Sequence, residues 1–274
     1  MSHVLRYGIN HMVAPRRSIA GLIDLAAALE LDGVELRNDV SGGSPGDDPG
    51  RVRDLASGAG VSILSINALQ RFNDWTPARE AEARELARAA QACGAAMLAL
   101  CPVNDAGFFA SDSERLGGLR DALRGLAPIL ADAGIMGLIE PLGFASSSLR
   151  LNWEAVEAIE DLSLGDRFRI VHDTFHHYLA GEPHLLPEWT GMVHLSGVDV
   201  DLPLANLRDE HRVLVDGDDR LGNIAQIIAL LAGGYSGPFV FEPFAASVHA
   251  DPDIAAALTG SMHEIDAQLA KAQI

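Results

Sequence analysis

The chain has 274 residues, 48% of them hydrophobic, and 38 Asp plus Glu against 20 Lys plus Arg give a formal net charge of −18. That length suits one large α/β domain or two ordinary ones, and a (β/α)8 barrel takes about 250 residues. So acidic a chain repels polyphosphates and anionic bilayers, which argues against nucleic acid and membrane partners, and two cysteines, Cys93 and Cys101, are too few for a secreted disulfide framework.

Both thiols adjoin apolar runs and are read as reduced and buried. No stretch approaches the roughly 18 to 20 apolar residues of a membrane span, and MSHVLRYGIN lacks the pattern of a secretory leader. The expected protein is soluble and cytoplasmic.

Leu5 to Ile9 reads as a short strand, followed by Asn10 and His11. SIAGLIDLAAALELDG then has apolar residues at helical spacing, with Ser18 as N-cap and Gly33 beyond the end. Val34 to Leu36 is a second strand ending in Arg37 and Asn38, and the turn-rich SGGSPGDDPG is expected to form a mobile loop at a barrel mouth. Helix Arg51 to Ser57 leads into strand Val61 to Ile66 and Asn67, and Thr76 and Pro77 open a helix to Ala92. Strand Met97 to Leu100 precedes the amphipathic helix Ser113 to Ala133. Strand Gly137 to Glu140, helix Trp153 to Leu162 and strands Phe168 to Asp173 and Gly191 to Leu195 follow. Helix Asn223 to Ala232, strand Phe239 to Phe241 and helix Asp253 to Ala270 complete the series.

Strand and helix alternate about eight times at spacings of roughly 25 to 40 residues, the mark of parallel strands joined by helical crossovers. Eight such units predict a single-domain (β/α)8 TIM barrel over residues 1–274. YGINHM after the first strand is nothing like a GxGxxG dinucleotide fingerprint.

The stretch FRIVHDTFHHY carries the chemistry. An apolar run delivers Asp173 at its end, and three other strands end in Glu140, His194 and Glu242. Active sites of such barrels lie at the C-terminal ends of the strands. Any one of these acids alone is better explained as a surface ion pair or helix cap, but four metal-capable residues at four strand ends point to function. Three carboxylates converging in a barrel need a cation, and with one imidazole they suit Mn²⁺, Mg²⁺, Co²⁺ or a solvated Zn²⁺. Two glutamates on one metal suit proton transfer beside a carbonyl, one removing the α-proton and the other returning it after an enediolate forms. By side-chain alternation His172 and His177 are expected to point away from Asp173.

The segments VELRND, SINALQRFN, IEPLGFASSS, VHDTFHHYLAGE, VHLSGVDVDLP, LRDEHRV and FVFEPF resemble the xylose-isomerase-like TIM-barrel superfamily, most of all the inosose isomerases of inositol catabolism. The resemblance runs from about Tyr7 to about Phe244. It implies one divalent metal held by Glu140, Asp173, His194 and Glu242, with the two glutamates as the acid/base pair. It further implies His176, Arg212 and Asn67 as substrate-binding residues; the tip after His176 reads His-Tyr instead of the Phe-His of an inosose isomerase, so Tyr178 is expected on the pocket wall as a further substrate-binding residue. The activity implied is isomerisation or epimerisation of a small polyol ketone, an inosose or ketose, by a homo-oligomer, dimer or tetramer. The alternatives are an inosose dehydratase on the same metal and a non-catalytic sugar-binding barrel. After Arg212 the family's Pro-Gly-x-Gly turn is replaced by VLVDGDDRLGN, which puts the loop shape and the substrate in question. The related zinc-dependent apurinic-site endonucleases share Asp173, His176, Asp209 and His211 with this chain, but they also need histidines after the third and fourth strands, where SINALQ and LCPVN stand.

Overall fold

A computed structural model describes residues 5–46, 48–109 and 111–272. Eight parallel strands close into a barrel in sequence order: β1 (Tyr7–Asn10), β2 (Gly33–Arg37), β3 (Ser62–Gln70), β4 (Met97–Cys101), β5 (Met136–Ile139), β6 (Phe168–Asp173), β7 (Thr190–Leu195) and β8 (Phe239–Phe241). Closure is direct, because Phe239 of β8 registers with both Tyr7 of β1 and Val193 of β7. The helices are α1 (Ile19–Ala28), α2 (Pro49–Ala59), α3 (Pro77–Cys93), α4 (Asp112–Ala133), α5 (Asn152–Asp161), α6 (Thr174–Ala180), α7 (Asn223–Ala232), α8 (Ala246–His249) and α9 (Ile254–Lys271). No helix among the described residues is long and apolar enough to cross a membrane.

Local chemistry places the helix ends. The Ser18, Thr76, Ser111 and Asp253 side chains accept the first free amides of α1, α3, α4 and α9. Gly60, Gly94 and Gly134 take the left-handed conformation that ends α2, α3 and α4.

Alternation along the strands makes two apolar layers. Residues such as Ile9, Val34, Ile139, Ile170, Val193 and Phe241 pack outward against the helices. Leu64, Leu138, Val171, Met192 and Val240 pack together as a second cluster, the filling of the barrel itself. Gly33 makes room for that filling, since a Cβ there would lie 2.5 Å from the Ser62 carbonyl oxygen and 2.8 Å from Leu64 Cγ.

Small differences from the expected elements have local causes. The first strand starts at Tyr7 rather than Leu5, and β3 continues past Asn67 to Gln70 across a register shift. Helix α6 was not expected, because its seven residues, TFHHYLA, are too few to show a helical period. Trp75 packs on α4, where a Cβ on Gly125 would lie 2.3 Å from its ring. Cys93 and Cys101 are buried free thiols.

Candidate metal centre

The second layer of the filling fixes the site. Glu140, Asp173, His194 and Glu242 stand two residues beyond Leu138, Val171, Met192 and Val240, so alternation turns them inward at the C-terminal ends of β5 to β8. One ligand-capable atom from each lies within 4.8 Å of the others, and all four residues are buried. Among the described residues this is the one group of its kind.

His194 Nδ1 faces the group, 3.1 Å from Glu140 Oε1, 3.3 Å from Glu242 Oε2 and 3.7 Å from Asp173 Oδ2. Its Nε2 lies 2.9 Å from Glu35 Oε2, though not along the ring N–H direction. Glu35 in turn accepts hydrogen bonds from Asn10 Nδ2 and Ser65 Oγ, each at 2.5 Å.

Arg212 is fully buried. Its Nη2 donates to Asp173 Oδ2 at 2.6 Å and Glu242 Oε2 at 3.0 Å, its Nε to Ser196 Oγ at 3.0 Å, and its guanidinium stacks near the Phe175 and Phe244 rings. Arg37 donates to Glu242 Oε1 at 2.8 Å and holds Asp39 with a two-point fork.

Burial raises the Glu242 pKa, but His194, Arg212 and Arg37 outweigh it and hold the carboxyl well below the usual range. The same contest, won by Arg212 and His176, lowers Asp173. Burial lowers the His194 pKa, yet Glu242, Glu35 and Glu140 pull it well above the ordinary histidine value. Burial and then Glu140, whose Oε2 is 3.4 Å away, keep the Cys101 thiol protonated.

These residues fit a divalent cation. Glu35, Glu140, Asp173 and Glu242 are four buried carboxylates against the two buried guanidiniums of Arg37 and Arg212. With His194 neutral the group carries −2, the charge a divalent ion cancels, and buried charge is costly unless cancelled. Three oxygens and one imidazole nitrogen suit Mn²⁺, Mg²⁺, Co²⁺ or Zn²⁺.

The other expected residues fall around this centre. Asn67, within β3, is buried and neither amide atom finds a hydrogen-bond partner in the protein; the Asn67–Ala68 peptide is cis. His176 is buried, its backbone N–H caps onto Asp173 Oδ1 at 2.9 Å, and its Nδ1 is likewise unpartnered. Tyr178 packs half-buried against the apolar cluster of Phe175, Leu179 and Leu207. Leu179 and Leu207 line a rim cavity of about 760 Å³ over the loops after β4, β5 and β7, whose wall also includes Phe144 and Asp209. His172 turns away as alternation predicts, bonding Gln226 and stacking near His177 at 4.7 Å.

Sequence reasoning missed Glu35 and Arg37 as parts of the site. The signal was present, because GVELR alternates inward Gly33, Glu35 and Arg37 with outward Val34 and Leu36.

A family model described as xylose isomerase-like TIM barrel matches residues 23–264. The chain belongs to this family. A xylose isomerase domain containing protein from Salmonella typhimurium LT2 is 34% identical, with 97% of this chain and 96% of that one covered at a TM-score of 0.83. Two more distant structures share the fold. One is the IolI protein with a bound zinc atom, 18% identical, with 96% of this chain and 99% of that one covered at a TM-score of 0.86. The other is D-psicose 3-epimerase with D-tagatose from Clostridium cellulolyticum H10, 16% identical, with 98% of both chains covered at a TM-score of 0.71. No curated protein matches the chain. Within this family the nuclease-like pair does not join the centre: Asp209 is 43% exposed with Arg212 Nη1 at 3.3 Å, and His211 Nδ1 accepts the Arg208 amide.

Proposed function

We propose that this family member is a divalent-metal-dependent isomerase or epimerase acting on a small polyol ketone, an inosose or a ketose. The observation that carries the reading is the convergence of two glutamates from separate strands, Glu140 and Glu242, with Asp173 and His194 in one buried group. Bound there, the ion would supply Lewis-acid polarisation of a ketone and its neighbouring hydroxyl. Glu140 follows β5 and Glu242 follows β8, so two carboxylates from separate strands meet the substrate, one taking the α-proton and the other returning a proton to the adjacent carbon. Asn67 and His176 offer buried, unpartnered amide and imidazole atoms, the kind that substrate hydroxyls satisfy. Arg212 pairs with a substrate oxygen in place of part of its present carboxylate contacts. The fold relatives with bound zinc and bound D-tagatose support metal and ketose chemistry by analogy.

The test is proton NMR of the metal-loaded protein in D₂O with 2-keto-myo-inositol and a panel of ketohexoses. Isotope exchange at the α-carbon with a rearranged ketone is the expected result. Loss of water would replace the reading with a dehydratase on the same site. Silence across the panel, with metal bound, would sink it in favour of a non-catalytic sugar-binding barrel. The protein is expected to be a homo-oligomer, dimer or tetramer, with the exposed Phe108 and Leu204 as candidates for burial at its interface, which sedimentation checks.

A further inference from the structure

Resting on the metal reading above, we infer that Arg37 is a positioning residue that limits Glu242 to a single oxygen toward the metal and so keeps a coordination position open. The two Glu242 oxygens live in different surroundings. Oε1 accepts from Arg37 Nη1 at 2.8 Å and Asn10 Nδ2 at 3.0 Å, which uses both of its lone pairs. Oε2 is the oxygen beside His194 Nδ1 at 3.3 Å and Arg212 Nη2 at 3.0 Å. Only Oε2 is directed at the centre.

The aim of Arg37 is set from outside. Its Nε and Nη2 grip Asp39 Oδ1 and Oδ2 at 2.8 and 2.7 Å, and its guanidinium lies 5.3 Å from the Phe244 ring centroid. A planar guanidinium held along one edge has its remaining Nη1 fixed in direction. Asp39 is half-exposed, at the start of the turn-rich loop, whereas Arg37 is buried. Released from Arg37, the Glu242 carboxylate could rotate and chelate with both oxygens. Removing a neighbouring positive charge also favours a cation, so loss of Arg37 should not weaken metal binding even as it closes the open position.

The experiment compares the full-length protein with Arg37→Met, Arg37→Lys and Asp39→Asn, each loaded with Mn²⁺ or Co²⁺ and without substrate. Water-proton relaxivity of the Mn²⁺ forms and the visible spectrum of the Co²⁺ forms report coordination directly. Arg37→Met is expected to bind Mn²⁺ several-fold more tightly than the parent while its relaxivity drops by the contribution of one bound water. Arg37→Lys keeps the charge but loses the fork, and should show the same relaxivity loss. Asp39→Asn, at a half-exposed position, should move the same way by less. Parental relaxivity and Co²⁺ spectra in Arg37→Lys and Asp39→Asn would overturn the inference, and so would a folded Arg37→Met that binds no metal. Because none of these readouts uses turnover, a wrong substrate reading leaves them unaffected.

Discussion

At the scale of single residues, the centre sets two glutamates in unlike surroundings. Glu242 is held by Arg37, Asn10 and Arg212, whereas Glu140 meets His194 and the weak Cys101 thiol donor. Glu242→Gln keeps an oxygen for the metal but cannot carry a proton. It should retain metal, more weakly, and lose α-carbon exchange by roughly 100-fold or more, the usual worth of a general acid or base. NMR exchange and metal analysis of the same sample check both halves, and unchanged exchange would remove Glu242 from the proton pair. The four converging residues could be picked out in the sequence because each closes an apolar strand. Glu35 and Arg37 were harder to find: the alternation of GVELR sets them on one face with Gly33, but an acid and a base within a strand do not by themselves tell which residues they meet.

At the scale of elements, the segment from β7 to α7 carries Arg212 and lacks the family's Pro-Gly-x-Gly turn. Asp219 organises it instead. Its Oδ1 accepts the Val198 and Leu221 amides at 3.3 and 3.0 Å, and its Oδ2 accepts the Asn223 amide at 3.1 Å and side-chain Nδ2 at 3.0 Å. An antiparallel bridge joins Gly197, just after β7, to Val213, the residue next to Arg212. Asp219 therefore acts as a side-chain cap for α7 and a brace for the loop. Asp219→Ala should cost about 1 to 2 kcal/mol, the scale of a lost N-cap with an acid at a helix start. Thermal melts should fall by several degrees, and substrate KM should rise more than kcat falls. A full-temperature melt with unchanged KM would show the loop to be held by other contacts. The departure from the family turn was visible in the sequence; its replacement was not, since Asp219 binds the amide of Val198, 21 positions before it, together with those of Leu221 and Asn223 just after it.

At the scale of the whole molecule, metal and pH act on a barrel whose buried charges are balanced only together. Stripping the metal with a chelator should lower the melting temperature, by about 5 °C or more when the ion is normally at 100 times its Kd, a stabilisation of about 2.7 kcal/mol. A melt insensitive to chelator would argue that the carboxylates are balanced without an ion. Away from the centre, burial followed by His172 lowers His177 to about 4, and burial lowers His172. The fold therefore favours neutral imidazoles, whose contribution is complete above the unfolded value near 6.5 and is lost as pH falls from there toward 4. For His177 that contribution is no more than about 3 kcal/mol. Melts of the parent between pH 7 and 4.5 should fall more steeply than those of His177→Gln, and parallel curves would exclude this source of acid lability.

The order of strands and helices, the parallel barrel and the inward four-residue group follow from patterns within single segments: apolar runs of strand length, capped helices and period-two alternation. What surrounds the four residues depended on the tertiary structure. Arg37 reaches Glu242 across 205 positions and Asn10 across 232, and only closure of β8 onto β1 makes them neighbours. A strand's pattern tells which way a side chain faces, and the closed barrel decides which side chain it meets.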